Sequence, residues 1–439
     1  MSLRATGASP ALTAAIARAD WAALLPPLRA HGDEQPVGRP TCVAALDLAD
    51  GLVLGVLEDR AGRTYPVPLV TAGSEVRRAR AGDGAAEALI DLLAGGSRER
   101  DGFELTAWYH RPATGERSID VDQTNESVIV AEHAVVKWTF LADEGPHPAP
   151  SLLAELERNG FTGMPRPWGA LQWRSPPSSP RLIALVTEYV PGAEDGWTWA
   201  VEELRTAAQS GEEEPARRVG ASVGELVASF HRALAGTARP STTAEGAARR
   251  SGALADLDRA LAVTSGRAHE VLACHEAETR AVLRDMPIDD TEVLRVHGDL
   301  HVGQVLRTRA GATSTYTLTD FDGNPVVPPQ ERIREQPAAL DVAGMAQSFR
   351  HVGLVLHKHD PDLDPAVVDP MAEVARSAFL DAYRQALASR LDLLDERLVR
   401  PLALRQVCRE FTYAATHLPR WSYVPEAALP MLLARGGLR

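Results

Sequence analysis

Two short motifs in the second half of the chain contain the residue types that phosphoryl transfer requires. One runs HGDLHVGQ over residues 297–304, and the other is DFD at residues 320–322. Transfer from ATP needs a carboxylate that orients the acceptor hydroxyl and accepts its proton, and oxygen ligands for Mg²⁺. Kinase catalytic loops place the base five residues before an amide ligand, which is the spacing of Asp299 and Gln304. The pattern therefore predicts Asp299 as catalytic base, with Gln304 and Asp320 as Mg²⁺ ligands.

The same loop allows two competing interpretations. His297, Asp299 and His301 stand at alternate positions, as metal ligands of a hydrolase could, but no further His or Asp ligands cluster with them. For His297 we expect a structural role in orienting the loop, and His301 could do the same. A nucleotide-sensing pseudokinase is the other alternative, and the presence of a base, a lysine and both metal ligands argues against it.

A lysine upstream completes the kinase pattern. Only Lys137 and Lys358 are lysines among 46 basic residues. Lys137 lies on the apolar strand AVVKW, where a kinase holds the lysine that contacts the ATP phosphates. A lysine on a half-buried strand is otherwise an exposed edge residue. We expect Lys358 to lie at the surface, and either Glu155 or Glu157 of a following helix could pair with Lys137.

The elements around these motifs predict an α+β, bilobal, protein-kinase-like fold. Residues 1–98 form an N-terminal module with strands between 41 and 70 and a helix at 84–94. Residues 99–190 form a β-rich lobe that ends in a hinge, where the backbone of Glu188 and Val190 would pair with adenine. Residues 191–439 are mostly helical, with a β-rich island at 293–321.

Two connecting segments have weaker patterns. The segment 122–127 precedes the lysine strand and contains no glycine. Its backbone N–H groups and hydroxyls could cover the ATP phosphates, or it could be an ordinary turn. The Ala/Thr/Arg-rich segment 238–250 is expected to be a linker, followed by a helix over 252–284.

Composition excludes several classes of protein. The chain has 439 residues and a net charge of −13 without a basic run, which disfavours nucleic acid as a partner. No apolar stretch is long enough to span a bilayer. The N-terminus lacks the apolar core of a signal peptide, and the three cysteines form no CxxC pair. We expect a cytoplasmic protein without a membrane partner, and a monomer is the simplest assembly.

Across almost its whole length the chain resembles the actinobacterial maltokinases and glucosamine kinases, within the aminoglycoside-phosphotransferase-like superfamily. The motifs that carry the resemblance are HGDLHVGQVLRT (297–308), LTDFDGNP (318–325), LDVAGMAQSF (340–349), EYVPGAEDGW (188–197) and LPRWSYVPEAALP (418–430). The resemblance implies a cap formed by the N-terminal module and a role for Asp299 as base with Mg²⁺. It also implies a place for Asp195 near the ribose of ATP, and for Asp341 at the start of a structural helix.

Two departures separate the chain from maltokinases. Those enzymes usually have DFEGEP where this chain has DFDGNP, and its segment QVCREFTY (406–413) resembles the glucosamine-kinase branch. The favoured reaction is phosphorylation of D-glucosamine to glucosamine 6-phosphate. The alternative is maltose 1-phosphate formation, and aminoglycosides are less favoured as substrates.

An amino sugar requires a carboxylate near its ammonium group, because an unpaired buried charge is costly. Glu410 and Tyr413 are three residues apart and share a helix face. Trp421 could stack on a sugar ring, and Asp322 could accept a further hydrogen bond. Alternatively, Glu410 pairs with Arg405 or Arg409 at the surface, and Trp421 belongs to the core.

Overall fold

A computed structural model of the chain describes residues 4–6, 9–25, 37–73, 75–119, 126–175, 179–311 and 313–434. Within these ranges no helix combines the length and apolar character needed to cross a membrane. The chain divides into two compact units, each built from three stretches. Unit 1 comprises Met1–Glu157, Pro165–Pro191 and Pro325–Ile333; unit 2 comprises Arg158–Met164, Gly192–Asn324 and Arg334–Arg439.

The first part of the chain combines strands with short helices. Its elements are β1 (Arg4–Thr6), α1 (Pro10–Arg18), α2 (Trp21–Leu24), β2 (Thr41–Ala49), β3 (Leu52–Glu58), β4 (Thr64–Ala72), β5 (Glu75–Arg78) and α3 (Ala85–Leu93). The part that follows is mainly β. Its elements are β6 (Arg98–Arg100), β7 (Phe103–Ala107), β8 (Glu116–Ser118), β9 (Glu126–Val130), β10 (Ala134–Trp138), α4 (Pro148–Arg158), β11 (Pro167–Trp173) and β12 (Arg181–Glu188).

The remainder is mainly helical. Its elements are α5 (Gly196–Ser210), α6 (Glu214–Leu234), β13 (Arg239–Pro240), α7 (Thr243–Val263), α8 (Gly266–Cys274), α9 (Glu276–Arg284), β14 (Glu292–Val293), β15 (Val305–Ala310), β16 (Thr313–Leu318), α10 (Pro329–Arg332), α11 (Ala339–His359), α12 (Pro365–Leu387), α13 (Val399–Thr416) and α14 (Tyr423–Leu433). Short 3₁₀ turns at Val302–Gln304 and Pro419–Trp421 each end at a candidate site residue.

Unit 1 contains two antiparallel sheets that share one hydrophobic core. Among the described residues, strands β1 to β5 pair in sequence order, and the larger sheet has the order β6-β7-β11-β12-β10-β9-β8. Helix α3 contacts β2 of the first sheet and β7 and β9 of the second. Its apolar residues surround most of the helix, as expected for a helix covered on both sides. Leu89 of α3 therefore belongs to the same core as Leu46 of β2 and Val136 of β10.

Most sequence-predicted elements are present, but three helical boundaries were wrong. Helix α7 begins at Thr243, inside the segment 238–250 that we expected to be a linker. Thr242 and Glu245 form a capping box there, a helix-start signal that the sequence contained. The helix predicted over 252–284 is interrupted at Thr264 and Ser265, just before Gly266, whose φ is +57°. The apolar spacing of residues 391–416 also predicts a helix over that whole segment, but the α-helix begins only at Val399.

Candidate active site

A hairpin in unit 2 brings the two predicted Mg²⁺ ligands to one end. Strands β15 and β16 pair Val305 with Leu318, so the residues just outside them are neighbours. The Thr319 N–H donates to the Gln304 carbonyl at 2.9 Å. The next residue, Asp320, has a φ of +62°, a left-handed conformation that is uncommon outside glycine and concentrated at functional sites. The hairpin thus places Gln304 and Asp320 at the same end of its two strands, as the spacing predicted.

The loop that carries Asp299 is anchored by a buried carboxylate on α11. Asp341 accepts the backbone N–H groups of His297 at 2.8 Å and Gly298 at 2.9 Å. Its Oδ2 also lies 3.1 Å from Nε2 of His231, whose Nδ1 is 2.8 Å from the Tyr383 hydroxyl. Burial raises the pKa of Asp341, but the His231 hydrogen bond and charge and the loop N–H groups outweigh it, so the pKa is lowered. An ionised Asp341 therefore fixes the backbone just before the predicted base.

Two glycines let neighbouring helices touch the same loop. A Cβ on Gly196, at the start of α5, would lie 1.6 Å from the Val302 carbonyl oxygen. A Cβ on Gly344 of α11 would lie 2.5 Å from the Leu300 carbonyl oxygen. Neither position has room for a side chain, so both helices pack backbone to backbone against the catalytic loop.

The two loop histidines bond to backbone groups. His297 Nε2 lies 2.9 Å from the Thr319 carbonyl, and His301 Nδ1 accepts the Gly303 N–H at 3.0 Å. Burial lowers the pKa of His301, and the charge of Asp299 opposes that shift. Across the described residues, no three His, Cys, Asp or Glu side chains are grouped as a metal site. The alternate spacing that suggested a metallohydrolase is accounted for by loop-orienting contacts.

Asp299 experiences the charges of both histidine and aspartate side chains. Burial raises its pKa; His301 and His297 lower it, and the charges of Asp320 and Asp341 raise it further, so that the net shift is upward. Its Oδ1 accepts a hydrogen bond from the Asn324 side-chain amide at 2.8 Å. In the sequence, Asn324 is visible only as part of DFDGNP, a departure from the maltokinase pattern, and this contact was not predicted.

Glu410 of α13 points inward, and the alternative in which it pairs with surface arginines is wrong. Both of those arginines, Arg405 and Arg409, instead bond to Asp256, at 2.7 and 2.9 Å. The Glu410 side chain is 16% exposed. Burial raises its pKa to about 8, with Gln406 lowering it and the charge of Asp299 adding to the rise.

The basic neighbour of Glu410 provides no counter-charge. His351 Nε2 lies 3.4 Å from Glu410 Oε2. Burial lowers the pKa of His351 to about 3, so its imidazole is neutral. The side-chain amide of Gln347 lies 3.1 Å from the same Nε2 and can donate to it. Glu410 Oε2 is buried without a hydrogen-bond partner in the described part of the chain. Glu410 is therefore a buried carboxyl group without a counter-charge that interacts electrostatically with Asp299.

Aromatic rings connect Trp421 to the loop that carries Asp299. Its ring centroid is 5.8 Å from that of Trp197, which is 6.2 Å from the His301 ring. Trp421 is partly buried rather than a core residue. Tyr413 is 42% exposed and its ring contacts His417. Asp322 is partly buried beside Phe321, whose ring packs 5.2 Å from that of His297.

The predicted ATP-contacting residues have defined local settings. In unit 1, Lys137 lies on the more exposed face of β10, opposite Leu185 of β12. The Glu188 N–H donates to the Arg166 carbonyl at 2.8 Å, so a contact to adenine would use its own carbonyl oxygen. Glu157 Oε1 lies 3.8 Å from Arg166 Nε, and the pairing of Lys137 with Glu155 or Glu157 stays a prediction. Most of the glycine-free segment 122–127 falls outside the described residues.

In unit 2, Asp195 is the N-cap of α5. Its Oδ1 accepts the N–H groups of Trp197 and Thr198 at 3.0 and 3.1 Å. This local role follows from the strong preference for aspartate at helix N-caps. The predicted position of Asp195 near a ribose stays a prediction beside that role.

Comparisons with known proteins identify the family. No family model matches the chain. A glucosamine kinase of Mycolicibacterium smegmatis is 46% identical over 366 residues, covering 82% of this chain and 90% of that protein. A glucosamine kinase of Streptacidiphilus jiangxiensis is 44% identical over 431 residues, covering 95% and 97%. The chain belongs to the glucosamine kinase family.

Solved structures agree with that assignment. A glucosamine kinase in complex with glucosamine, ADP and inorganic phosphate is 42% identical, covers 94% of this chain and superposes with a TM-score of 0.79. A glucosamine kinase in another crystal form gives a TM-score of 0.82 over 96% of the chain. These neighbours confirm the predicted family and the mixed α+β fold of a kinase.

Proposed function

We propose that this member of the glucosamine kinase family transfers the γ-phosphoryl group of ATP to the C6 hydroxyl of D-glucosamine, forming glucosamine 6-phosphate and ADP. The observation that carries the choice of acceptor is Glu410, a buried carboxyl group without a counter-charge whose electrostatic environment includes Asp299. A sugar ammonium group supplies that counter-charge, whereas a neutral sugar such as maltose does not.

Asp299 acts as the base in this proposal. It accepts a hydrogen bond from the C6 hydroxyl and takes its proton as the new O–P bond forms and the bond between the γ-phosphorus and the β,γ-bridging oxygen of ATP breaks. The raised pKa of Asp299 suits this role, because a base with a higher pKa is a better proton acceptor. Asp341 contributes by fixing the backbone beside it.

The chain's oxygen donors fit the Mg²⁺ that phosphoryl transfer requires. Gln304 and Asp320 would hold the ion, since Mg²⁺ in kinases is bound by one or two protein oxygens together with phosphate oxygens and water. When bound, the ion neutralises charge that develops on the phosphates. A cation near Asp320 would also offset the repulsion that this carboxylate exerts on Asp299.

The remaining predicted residues divide between the two substrates. For ATP, we propose Lys137 at the phosphates, the backbone of Glu188 and Val190 at adenine, and Asp195 near the ribose. For the sugar, we propose Glu410 at the ammonium group and Trp421 against the ring, because the aromatic contacts of Trp421 lead to His301 of the catalytic loop. The sugar site would also include Asp322, at a hydroxyl, and Tyr413, at the more exposed end.

The test is ADP release with Mg-ATP over a panel of glucosamine, N-acetylglucosamine, glucose, maltose and kanamycin. We expect turnover on glucosamine, with loss of at least about 100-fold in the Asp299→Asn variant. Identification of the product as the 6-phosphate by NMR completes the assignment. Preferential turnover on maltose would refute the amino-sugar acceptor, and wild-type turnover retained by Asp299→Asn would refute the base.

A further inference from the structure

The turn that follows the second motif ends in a contact to the predicted base. Phe321 packs against His297, and Gly323 has a φ of +71°, which turns the chain back toward the loop. Asn324 follows this turn, is 9% exposed, and donates from Nδ2 to Asp299 Oδ1 at 2.8 Å. The two residues are 25 positions apart in sequence.

This contact restrains the rotation of the Asp299 carboxylate about its Cβ–Cγ bond, which the backbone conformation does not determine. Rotation about the Cβ–Cγ bond of an aspartate is broad, because an sp³–sp² torsion has no sharp staggered minima. A donor on Oδ1 restrains the carboxylate plane and leaves Oδ2 for the acceptor hydroxyl. The amide is uncharged, whereas the titratable groups that act on Asp299 are His301, His297, Asp320, Asp341 and Glu410.

We propose that Asn324 is a positioning residue for phosphoryl transfer, which holds Asp299 by Oδ1 so that Oδ2 receives the proton of the acceptor hydroxyl. The inference rests on the proposed function. It differs from a general structural role because its effect passes through the Asp299 carboxylate. Removing the amide should slow the transfer step without weakening the binding of either substrate.

A double-mutant cycle tests this coupling. We would measure kcat and KM for ATP and glucosamine in Asn324→Ala and Asn324→Asp, each alone and combined with Asp299→Asn. Asn324→Asp has almost the same shape but replaces the donor with a carboxylate. We expect kcat to fall about 10- to 100-fold in both single variants, with each KM within about threefold of wild type. In the Asp299→Asn background, Asn324→Ala should change kcat by less than about threefold, because coupled residues are not additive.

A matched control separates this effect from asparagine loss in general. Asn159 also donates from Nδ2, to the Ala233 carbonyl at 2.7 Å, outside the catalytic loop. Asn159→Ala should keep kcat within about twofold of wild type. The melting temperature of every variant would be compared, and Asn324→Asp provides the folded variant if Asn324→Ala is unstable.

The outcomes distinguish this inference from the proposed function. If the wild type has no activity on any sugar, the proposed function fails before Asn324 is tested. If the wild type is active and Asn324→Ala and Asn324→Asp keep its kcat, the positioning role is refuted. The positioning role would also be refuted if Asn324→Ala lowered kcat by the same factor in the wild-type and Asp299→Asn backgrounds. Asn324 would then act independently of the base.

Discussion

At the scale of single residues, the buried carboxyl group of Glu410 costs the protein stability and also has a proposed function. Its pKa of about 8, against an ordinary value of 4.5, means that the folded protein binds a proton there more tightly than the unfolded chain does. Stability linked to this proton is fully present below pH 4.5 and is lost as pH rises through about 8. An ammonium ligand would remove the cost by pairing with the carboxylate.

The first prediction follows from this linkage. Glu410→Gln keeps the shape of the side chain and removes the charge, so the ligand-free variant should be more stable than wild type at pH 8, by about 1–3 kcal/mol. The difference should grow between pH 4.5 and 8. Glucosamine should raise the melting temperature of the wild type and have little effect on the variant, whose KM for glucosamine should rise at least about 10-fold. Thermal unfolding with and without glucosamine, at pH 5 and 8, measures both effects.

A suitable control is Glu396→Gln. Glu396 forms an exposed ion pair with Arg384, so its loss should change stability by less than about 1 kcal/mol and leave the response to glucosamine intact. Lower stability of Glu410→Gln at both pH values, or an undiminished response to glucosamine, would contradict the proposed ammonium contact.

Sequence spacing predicted candidate site residues that are close together in the chain, and their roles stay predictions. Asp299 and Gln304 belong to one loop, and Asp320 follows a short hairpin, so local geometry determines where they lie. The contact from Asn324 and the anchor at Asp341 join residues 25 and 43 or more positions apart. Such pairs depend on tertiary packing, which no local pattern in one sequence encodes. The neutral state of His351 likewise depends on burial rather than residue type.

At the scale of elements, the hairpin β15–β16 is held by a buried arginine. The Arg307 side chain is fully buried and bonds to Glu194 at 2.6 Å, Glu203 at 2.5 Å and Glu202 at 2.8 Å. Its backbone also pairs with that of Glu194 in both directions. Because the open end of this hairpin carries Gln304 and Asp320, the arginine links the proposed metal ligands to α5 and the segment before it.

The prediction for this element is that Arg307→Met destabilises the protein by about 3 kcal/mol. Removing one partner of a buried ion pair costs about 3–5 kcal/mol, and the lower end applies because Glu194 and Glu202 are 36% and 48% exposed. We expect kcat to fall as well, since the hairpin would no longer be held against α5. Urea unfolding followed by tryptophan fluorescence, together with steady-state kinetics, provides the measurement.

Arg309 on the same hairpin is the matched control. It shares Glu202 with Arg307 but is 44% exposed, so Arg309→Met should cost less than about 1 kcal/mol. Similar losses in the two variants would mean that burial of the Arg307 charge is not what stabilises the hairpin.

The elements themselves were mostly predictable, and the errors have a common cause. Strands such as β10 and β12 show the alternating or continuous apolar patterns of half-buried and buried strands. Helix α7 was partly assigned to a linker because its composition hides a weak apolar face, although its capping box was visible in the sequence. The capping box was therefore a better predictor of where α7 begins than the composition of the segment.

At the scale of the whole molecule, neither unit is formed by one continuous stretch of chain. Unit 1 takes its third stretch from Pro325–Ile333, directly after Asn324. There, Arg332 of α10 bonds to Asp143 at 3.0 Å and to the Val327 carbonyl at 2.7 Å. The strand and helix patterns of the sequence predicted a division of this region into residues 1–98 and 99–190, whereas helix α3 and its core residues contact both sheets.

The final prediction concerns the N-terminal 98 residues. Helix α3 covers one face of the larger sheet, and its side chains at Leu89 and Ile90 are fully buried. Deleting residues 1–98 would expose that face to water, and each large apolar side chain uncovered costs about 1.5–3 kcal/mol. The combined cost of exposing several such side chains exceeds the 5–15 kcal/mol that stabilises a typical protein. We therefore expect residues 99–439 alone to aggregate or to lack cooperative unfolding.

Point variants of α3 test the same core without truncating the chain. Leu89→Asp places a charge in the shared core and should also prevent folding, whereas Asp91→Asn on the exposed side of the helix should leave the melting temperature within about 2 °C of wild type. Circular dichroism and size-exclusion chromatography distinguish these results. If residues 99–439 unfold cooperatively at the wild-type temperature, the N-terminal module is a separate domain and the continuous core contributes little. If Leu89→Asp and the deletion variant both fail to fold while Asp91→Asn folds normally, the module is a structural part of the lobe that carries Lys137.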